Sequence, residues 1–361
     1  MMLQVEMERR GIPDALVFLD GRSVRSQEDW LERRAELLRL FAKEMYGLAP
    51  DSPQGMTSET LEENKSCCAG KAVYSRVRLS FHLGGEKGAF QVHCTIPKRT
   101  VPVPAFVLLN FRPDVPDRYL PIEELVDFGY AVFSVAYQDI APDHENGFTE
   151  GIGTLFFPDG TRDENDTGTI GLWAWGASRV MDYVQTLIEI DLKRVAVVGH
   201  SRLGKTALLA GARDDRFSCV ISNDSGCGGA AISREKKGET VDDIVKRFPH
   251  WFCPRFSFYR ENEAALPFDQ HALLALIAPR RVYVASAKED SWADPNAEYL
   301  ACVAADPVFR LWGVNGFEYP DRWPMVGEAF ARGRIGYHLR AGEHYLSRED
   351  WLHFVAYQGG W

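Results

Sequence analysis

Between Arg194 and Leu209 the chain reads RVAVVGHSRLGKTALL, and no other stretch constrains the fold as tightly. A β-branched run gives way within two residues to helical spacing, so a strand must turn sharply into a helix. Ser201 sits at that turn between Gly199 and Gly204, where its hydroxyl is projected above a sheet edge beside a helix N-terminus. The pattern departs from a strict G-x-S-x-G elbow, because Leu203 takes the second glycine's place and Gly204 follows one residue late. The same residues also suit a plain turn in which Ser201 caps the helix. Downstream residues decide between the two.

The remaining apolar runs are short and continuous: AFVLL at 105–109, YAVFSVA at 130–136, CVIS at 219–222 and RVYVASA at 281–287. Strands buried on both faces look like this, and the helical stretches between them imply parallel βα units. Before them, 72–83 and 90–96 alternate with period two around GGEKG, which predicts an antiparallel hairpin. Ser26 to Gly47 is predicted as a helix on the outside of the molecule, opened by a Ser26/Asp29 capping box and stopped by Gly47 and Pro50. The fold class is therefore α/β, a three-layer sandwich with a mostly parallel central sheet and an N-terminal antiparallel hairpin. We expect one domain over 1–361, with an N-terminal helical extension over 1–60 and a pocket-lining insertion over 226–270. A second insertion, 139–167, contains DENDTG, which approaches a calcium loop but has Ala174 where the twelfth-position glutamate belongs. No metal is expected.

A net charge of −10 opposes general affinity for nucleic acid or anionic membrane, both of which need a basic face. No apolar run is long enough to span a bilayer. The charged N-terminus MMLQVEMERR predicts a cytoplasmic protein as written, secreted or periplasmic if a signal has been removed. Seven cysteines without C-x-x-C spacing read as free, mostly buried thiols.

A nucleophilic serine needs a base to take its proton and an acid to hold that base in the right tautomer. The order Ser, acid, His is that of the α/β-hydrolases. His344, in RAGEHYLSREDW after the strand-like RIGYHL, fits the base; His338 falls inside the strand, His353 on the last helix, and His200 is expected to point away from Ser201 into the turn. Two acids are candidates: Asp290, in KEDSWADP after RVYVASA, and Asp224, in ISNDSG after the preceding strand. The residues leave that choice open.

Taken together, GHSRLGK, SNDSGCGG, FPHWFC, DQHALLALIAPRRVYVAS, DSWADP and GEHYLS resemble the bacterial glucuronoyl esterases, carbohydrate esterase family 15. The resemblance runs from about Phe128 to the C-terminus, with weaker agreement in LRLFAKEMYG. It departs at His200, where the family motif has cysteine, and at Glu343 and Tyr345, where the family usually has glycine and aspartate. It implies the α/β-hydrolase fold, Ser201 as nucleophile, His344 as base and Arg202 as a side-chain contributor to the oxyanion hole. Family members place the acid at the position of Asp224, of Asp290, or of both. Lys205, Glu239 and Trp292 match positions that grip the uronate's hydroxyls. The implied reaction is serine-based hydrolysis of the C6 ester of (4-O-methyl)glucuronate, as in lignin-carbohydrate esters, without cofactor, the partner being a glucuronate ester or glucuronoxylan-derived saccharide. Two other readings stand beside it: a sugar or xylan acetyl esterase using the same triad, and a carbohydrate-binding relative without catalysis.

Overall fold

The apolar runs become strands whose side chains divide alternately between two cores. In β4 (Val103–Asn110), Ala105, Val107 and Leu109 enter one core while Phe106 and Leu108 enter the other. A strand covered on both faces has no polar side to show, which is why its sequence does not alternate. The computed structural model describes residues 2–359; Met1, Gly360 and Trp361, at the ends of the expected domain, lie outside them.

With β1 (Gly55–Cys67), β2 (Ala72–Leu83), β3 (Glu86–Pro97), β5 (Ala131–Ala136), β6 (Ile190–His200), β7 (Cys219–Asn223), β8 (Arg281–Ala287), β9 (Ala329–Phe330) and β10 (Ile335–Arg340), the sheet has ten strands among the described residues, in the order β1-β2-β3-β5-β4-β6-β7-β8-β10-β9. Neighbours from β5 through β10 pair in parallel, and β1 to β3 and β9 are antiparallel additions at the two edges. Helices Gln27–Phe41, Thr169–Val184, Arg202–Arg213 and Pro295–Leu311 pack into the larger core, and Ile122–Asp127 and Arg348–Gly359 into the smaller one on the opposite face. This is the three-layer α/β-hydrolase architecture expected from the sequence. Among the described residues no helix is long and apolar enough to cross a membrane.

Three local readings change. The helix after Ser26 has its capping box and packs on the outside as expected, with Trp30, Leu37 and Phe41 turned into the core and Leu31 and Glu32 exposed; what changes is only its end, which runs on as a π-turn at Ala42–Tyr46. The N-terminal extension is helical only in part, since β1 already begins at Gly55. The hairpin between β2 and β3 turns through Gly84 and Gly85 alone, both at positive φ, so Glu86, Lys87 and Gly88 lie in the strand.

Strand register lines up the site. His200 pairs with Asn223, Asn223 with Ala285, and Ala287 with Arg340. The carboxyl ends of β6, β7, β8 and β10 therefore finish close together, and Ser201, Asp224, Asp290 and His344 all follow those ends. Ligand sites of open α/β sheets form there.

Candidate active site

Ser201 has φ 58° and ψ −127°, a strained backbone for a residue with a side chain, at the junction of β6 and the helix Arg202–Arg213. The strain is held by packing. A Cβ on Gly199 would lie 1.9 Å from the Leu203 carbonyl oxygen, and one on Gly204 2.9 Å from Ser225 Cβ. The turn thus needs glycine at 204, where the helix presses on the segment after β7, while Leu203 points into the core and is fully buried.

His344 and the two acids come together above this turn. One oxygen of Asp224, one of Asp290 and a ring nitrogen of His344 lie within 4.8 Å of one another. His344 Nδ1 is 2.6 Å from Asp290 Oδ2, and Asp290 Oδ1 accepts from the Ala293 N–H. Both oxygens of Asp224 are otherwise engaged, Oδ1 by the Ala287 N–H at 2.8 Å and Oδ2 by Arg340 at 3.3 Å. Burial works to raise the Asp290 carboxyl, but the hydrogen bond and charge of His344 outweigh it and leave it lowered. Burial and the neighbouring Glu298 push Asp224 well up, with Arg340 opposing. Geometry and charge therefore pair Asp290, rather than Asp224, with the imidazole. No hydrogen bond joins Ser201 Oγ to His344 among the described residues; such contacts tighten with substrate in many hydrolases. The three groups are also close enough to ligate a cation, but their engagement with one another and with Arg340 disfavours that use.

Arg202 is fixed by a residue that sequence reasoning missed. Asp143, in the 139–167 insertion, forms an ion pair with Arg202 and accepts from His250 Nε2 at 2.8 Å and from Trp251 Nε1 at 2.7 Å. Burial would raise Asp143, yet these partners hold it down at about 2. The guanidinium lies 4.7 Å above the Trp251 ring and 5.5 Å from Phe248, and its buried Nε–H has no hydrogen-bond partner among the described residues. Arg202 also lines the cavity beside Ser201, where a guanidinium suits a developing oxyanion.

Lys205, one helical turn after Ser201, is buried and donates to the carbonyls of Ser225 at 2.6 Å and Cys227 at 2.5 Å, with Glu239 at 3.8 Å. Glu298 holds that segment from below by accepting from the N–H groups of Ser225 and Gly226. Trp292 is 46% exposed at the rim, faced by the Arg247 guanidinium at 5.5 Å. Ser201, Arg202, Lys205, Glu239, Arg247, Phe248, Trp251, Trp292 and His344 line one cavity of about 290 Å³, small for a ligand site and of the order of one sugar. A cavity of equal volume near Pro50, Trp175 and Arg213 holds none of these groups. The insertion 226–270 supplies Glu239, Arg247, Phe248 and Trp251 and so lines the cavity as expected, with a helix of its own at Val241–Arg247. His200 is turned inward, its Nδ1 2.6 Å from Asn223 Oδ1, but against expectation it is also in contact with the site, its ring centroid 4.4 Å from that of His344.

Residues 79–313 match the family model described as glucuronyl esterase, fungi. The chain is 38% identical to carbohydrate esterase MZ0003 of an unknown prokaryotic organism, over 98% of this chain and 90% of the relative. It is 30% identical to a 4-O-methyl-glucuronoyl methylesterase of Phanerochaete carnosa, over 84% and 72% of the two chains. Among solved structures, the glucuronoyl esterase from Solibacter usitatus superposes with a TM-score of 0.90 at 35% identity, covering 96% of this chain and 97% of that one.

Proposed function

For a chain that belongs to the glucuronoyl esterase family, carbohydrate esterase family 15, we propose that the site hydrolyses the C6 ester of a glucuronate by acyl transfer to Ser201. The observation that carries the reading is the buried Lys205–Glu239 pair beside the nucleophile, in a cavity of about sugar size that also holds the hydrogen-bonded His344–Asp290 pair. Two of the three Lys205 N–H donors are taken by the Ser225 and Cys227 carbonyls, which leaves the third, with the Glu239 carboxylate, for the hydroxyls of a pyranose, where an acetyl group offers nothing.

In the proposed cycle, Ser201 Oγ attacks the C6 carbonyl as its proton passes to His344 Nε2. Asp290 holds the opposite N–H and balances the imidazolium. The tetrahedral oxyanion is met by backbone N–H groups and by Arg202. Collapse expels the alcohol with the proton from His344, leaving a glucuronoyl ester on Ser201, which water cleaves by the same steps. Trp292 gives the sugar an apolar face at the rim, and (4-O-methyl)glucuronate of xylan-derived saccharides is the natural acid component.

The test is kcat/KM for benzyl glucuronate against an acetylated xylo-oligosaccharide. The glucuronate ester should be the better substrate, and Ser201→Ala should abolish turnover of it. A preference for the acetylated saccharide would replace this reading by an acetyl esterase. A fluorophosphonate that fails to label Ser201 would indicate a binding protein without catalysis.

A further inference from the structure

His200 and Tyr345, the sequence neighbours of Ser201 and His344, are joined in space through a chain of rings. The His200 ring lies 4.4 Å from the His344 ring at 41°. Tyr119 stands edge-on to His200 at 5.1 Å and, on its other side, to Tyr345 at 4.9 Å. Tyr119 is itself anchored, its carbonyl accepting from Trp351 Nε1 at 2.8 Å. The rings of His344, His200, Tyr119 and Tyr345 thus form a continuous chain that begins and ends on adjacent residues of one loop.

We propose that this aromatic clasp, with His200 as its central platform, is what fixes the tilt of the His344 ring for proton transfer. The hydrogen bond to Asp290 sets the tautomer of His344, but a single bond at Nδ1 still lets the ring swing about that contact. A face packed against the ring removes the swing, and misplacement of a reacting group by about 1 Å costs on the order of 100-fold in rate. His200 is suited to the task because it is rigid and uncharged. It is 2% exposed, its Nδ1 is tied to Asn223, and burial together with the adjacent His344 drives its proton affinity down to about 3, the Asn223 bond offsetting only part. When His344 takes the serine proton, the platform is therefore a neutral π face against a forming cation, which is attractive. His200 and Tyr345 act here through His344 and are positioning residues.

This inference rests on His344 being the base, so His344→Ala is measured first with benzyl glucuronate. If that variant stays active, the triad reading and the clasp both fall; if it is dead and the variants below behave as wild type, the clasp alone falls. His200→Ala should lower kcat roughly 10- to 100-fold with KM changed by less than about twofold. His200→Phe, which restores a flat ring without the imidazole nitrogens, should recover most of the loss. Tyr345→Ala, at a half-exposed position that leaves no buried void, should give a smaller kcat-only loss. In proton NMR, the downfield resonance of the His344–Asp290 hydrogen bond should broaden in His200→Ala and sharpen again in His200→Phe. A kcat for folded His200→Ala within about twofold of wild type would overturn the proposal, as would a rise in KM alone, or a Phe variant as slow as the Ala variant. Should His200→Ala fail to fold, an unchanged kcat in Tyr345→Ala overturns it equally.

Discussion

Replacing Asp290 by Asn tests the charge relationships of the site most directly. The amide keeps the carboxylate's shape but meets His344 Nδ1 with either a neutral carbonyl or an NH2 that forces the wrong tautomer. In the serine protease triad that exchange costs roughly 10⁴-fold. Here the loss should be smaller, because an Asp224 oxygen lies within 4.8 Å of both Asp290 and His344. Arg340 can release Asp224 without being orphaned, since its Nε also donates to both oxygens of Asp350 at 3.0 Å. We expect Asp290→Asn to lower kcat/KM for benzyl glucuronate by about 10²-fold, or about 2.7 kcal/mol, Asp224→Asn by about tenfold or less, and the double variant by about 10⁴-fold. The double-mutant cycle then shows a coupling of about 1.4 kcal/mol, the measure of one acid standing in for the other. An Asp290→Asn variant already as slow as the double refutes the reserve role of Asp224. An Asp224→Asn variant that loses about 10⁴-fold while Asp290→Asn stays active would make Asp224 the triad acid and the 2.6 Å contact of Asp290 incidental.

Three further outcomes follow from the same contacts. Arg202→Ala should lower kcat roughly 10²- to 10³-fold, as expected for an oxyanion donor, and Asp143→Asn should lower it less but in kcat rather than KM; a loss below about tenfold in Arg202→Ala removes the arginine from that role. Trp292→Ala and Lys205→Ala should raise KM for benzyl glucuronate far more than for p-nitrophenyl acetate, Trp292→Ala being the cleaner comparison because its side chain is half exposed; equal effects on both esters would deny the site a grip on the sugar. Glu298, pushed up to about 7 by burial, keeps in the folded state a proton that the unfolded chain releases near 4.5, so its contribution to stability is lost as pH rises across that interval. Glu298→Gln should therefore gain thermal stability relative to wild type between about pH 4.5 and pH 7, and a difference in Tm that does not change with pH would contradict this.

What could be read from the residues alone follows from how far each interaction reaches along the chain. The elbow, the parallel strands and the Ser26 cap are set by neighbours a few residues apart, and their residues carry the signal. β1 was missed because it is an exposed, charged edge strand, TSETLEENKS, that pairs through its backbone and buries no stripe of side chains. Ser201, Arg202, Lys205, Asp224, Asp290, Glu239, Trp292 and His344 were legible as a set and do surround one cavity. Asp143 was not, because nothing in APDHENG marks an aspartate whose partners are 59, 107 and 108 residues away. The preference of His344 for Asp290 was equally out of reach, since it depends on Ala287 and Arg340 having already claimed the oxygens of Asp224.

That prior claim explains why the segment after β7 deserves to be treated as one device. Asp224, Gly226 and Gly228 all lie at positive φ, so the chain between them curls with its N–H groups on one side and carbonyls on the other. Glu298 takes the N–H groups of Ser225 and Gly226, and Lys205 takes the carbonyls of Ser225 and Cys227. A backbone curl clamped between a buried acid and a buried cation cannot shift at one end without shifting at the other. Its first residue is the acid proposed to stand in reserve beside His344, and the lysine it holds is the group proposed to bind the sugar. Acid placement and substrate grip therefore rest on the same four residues, 224–227, and a change at Glu298 should be felt in both kcat and KM, whereas a change at Trp292 should be felt in KM alone.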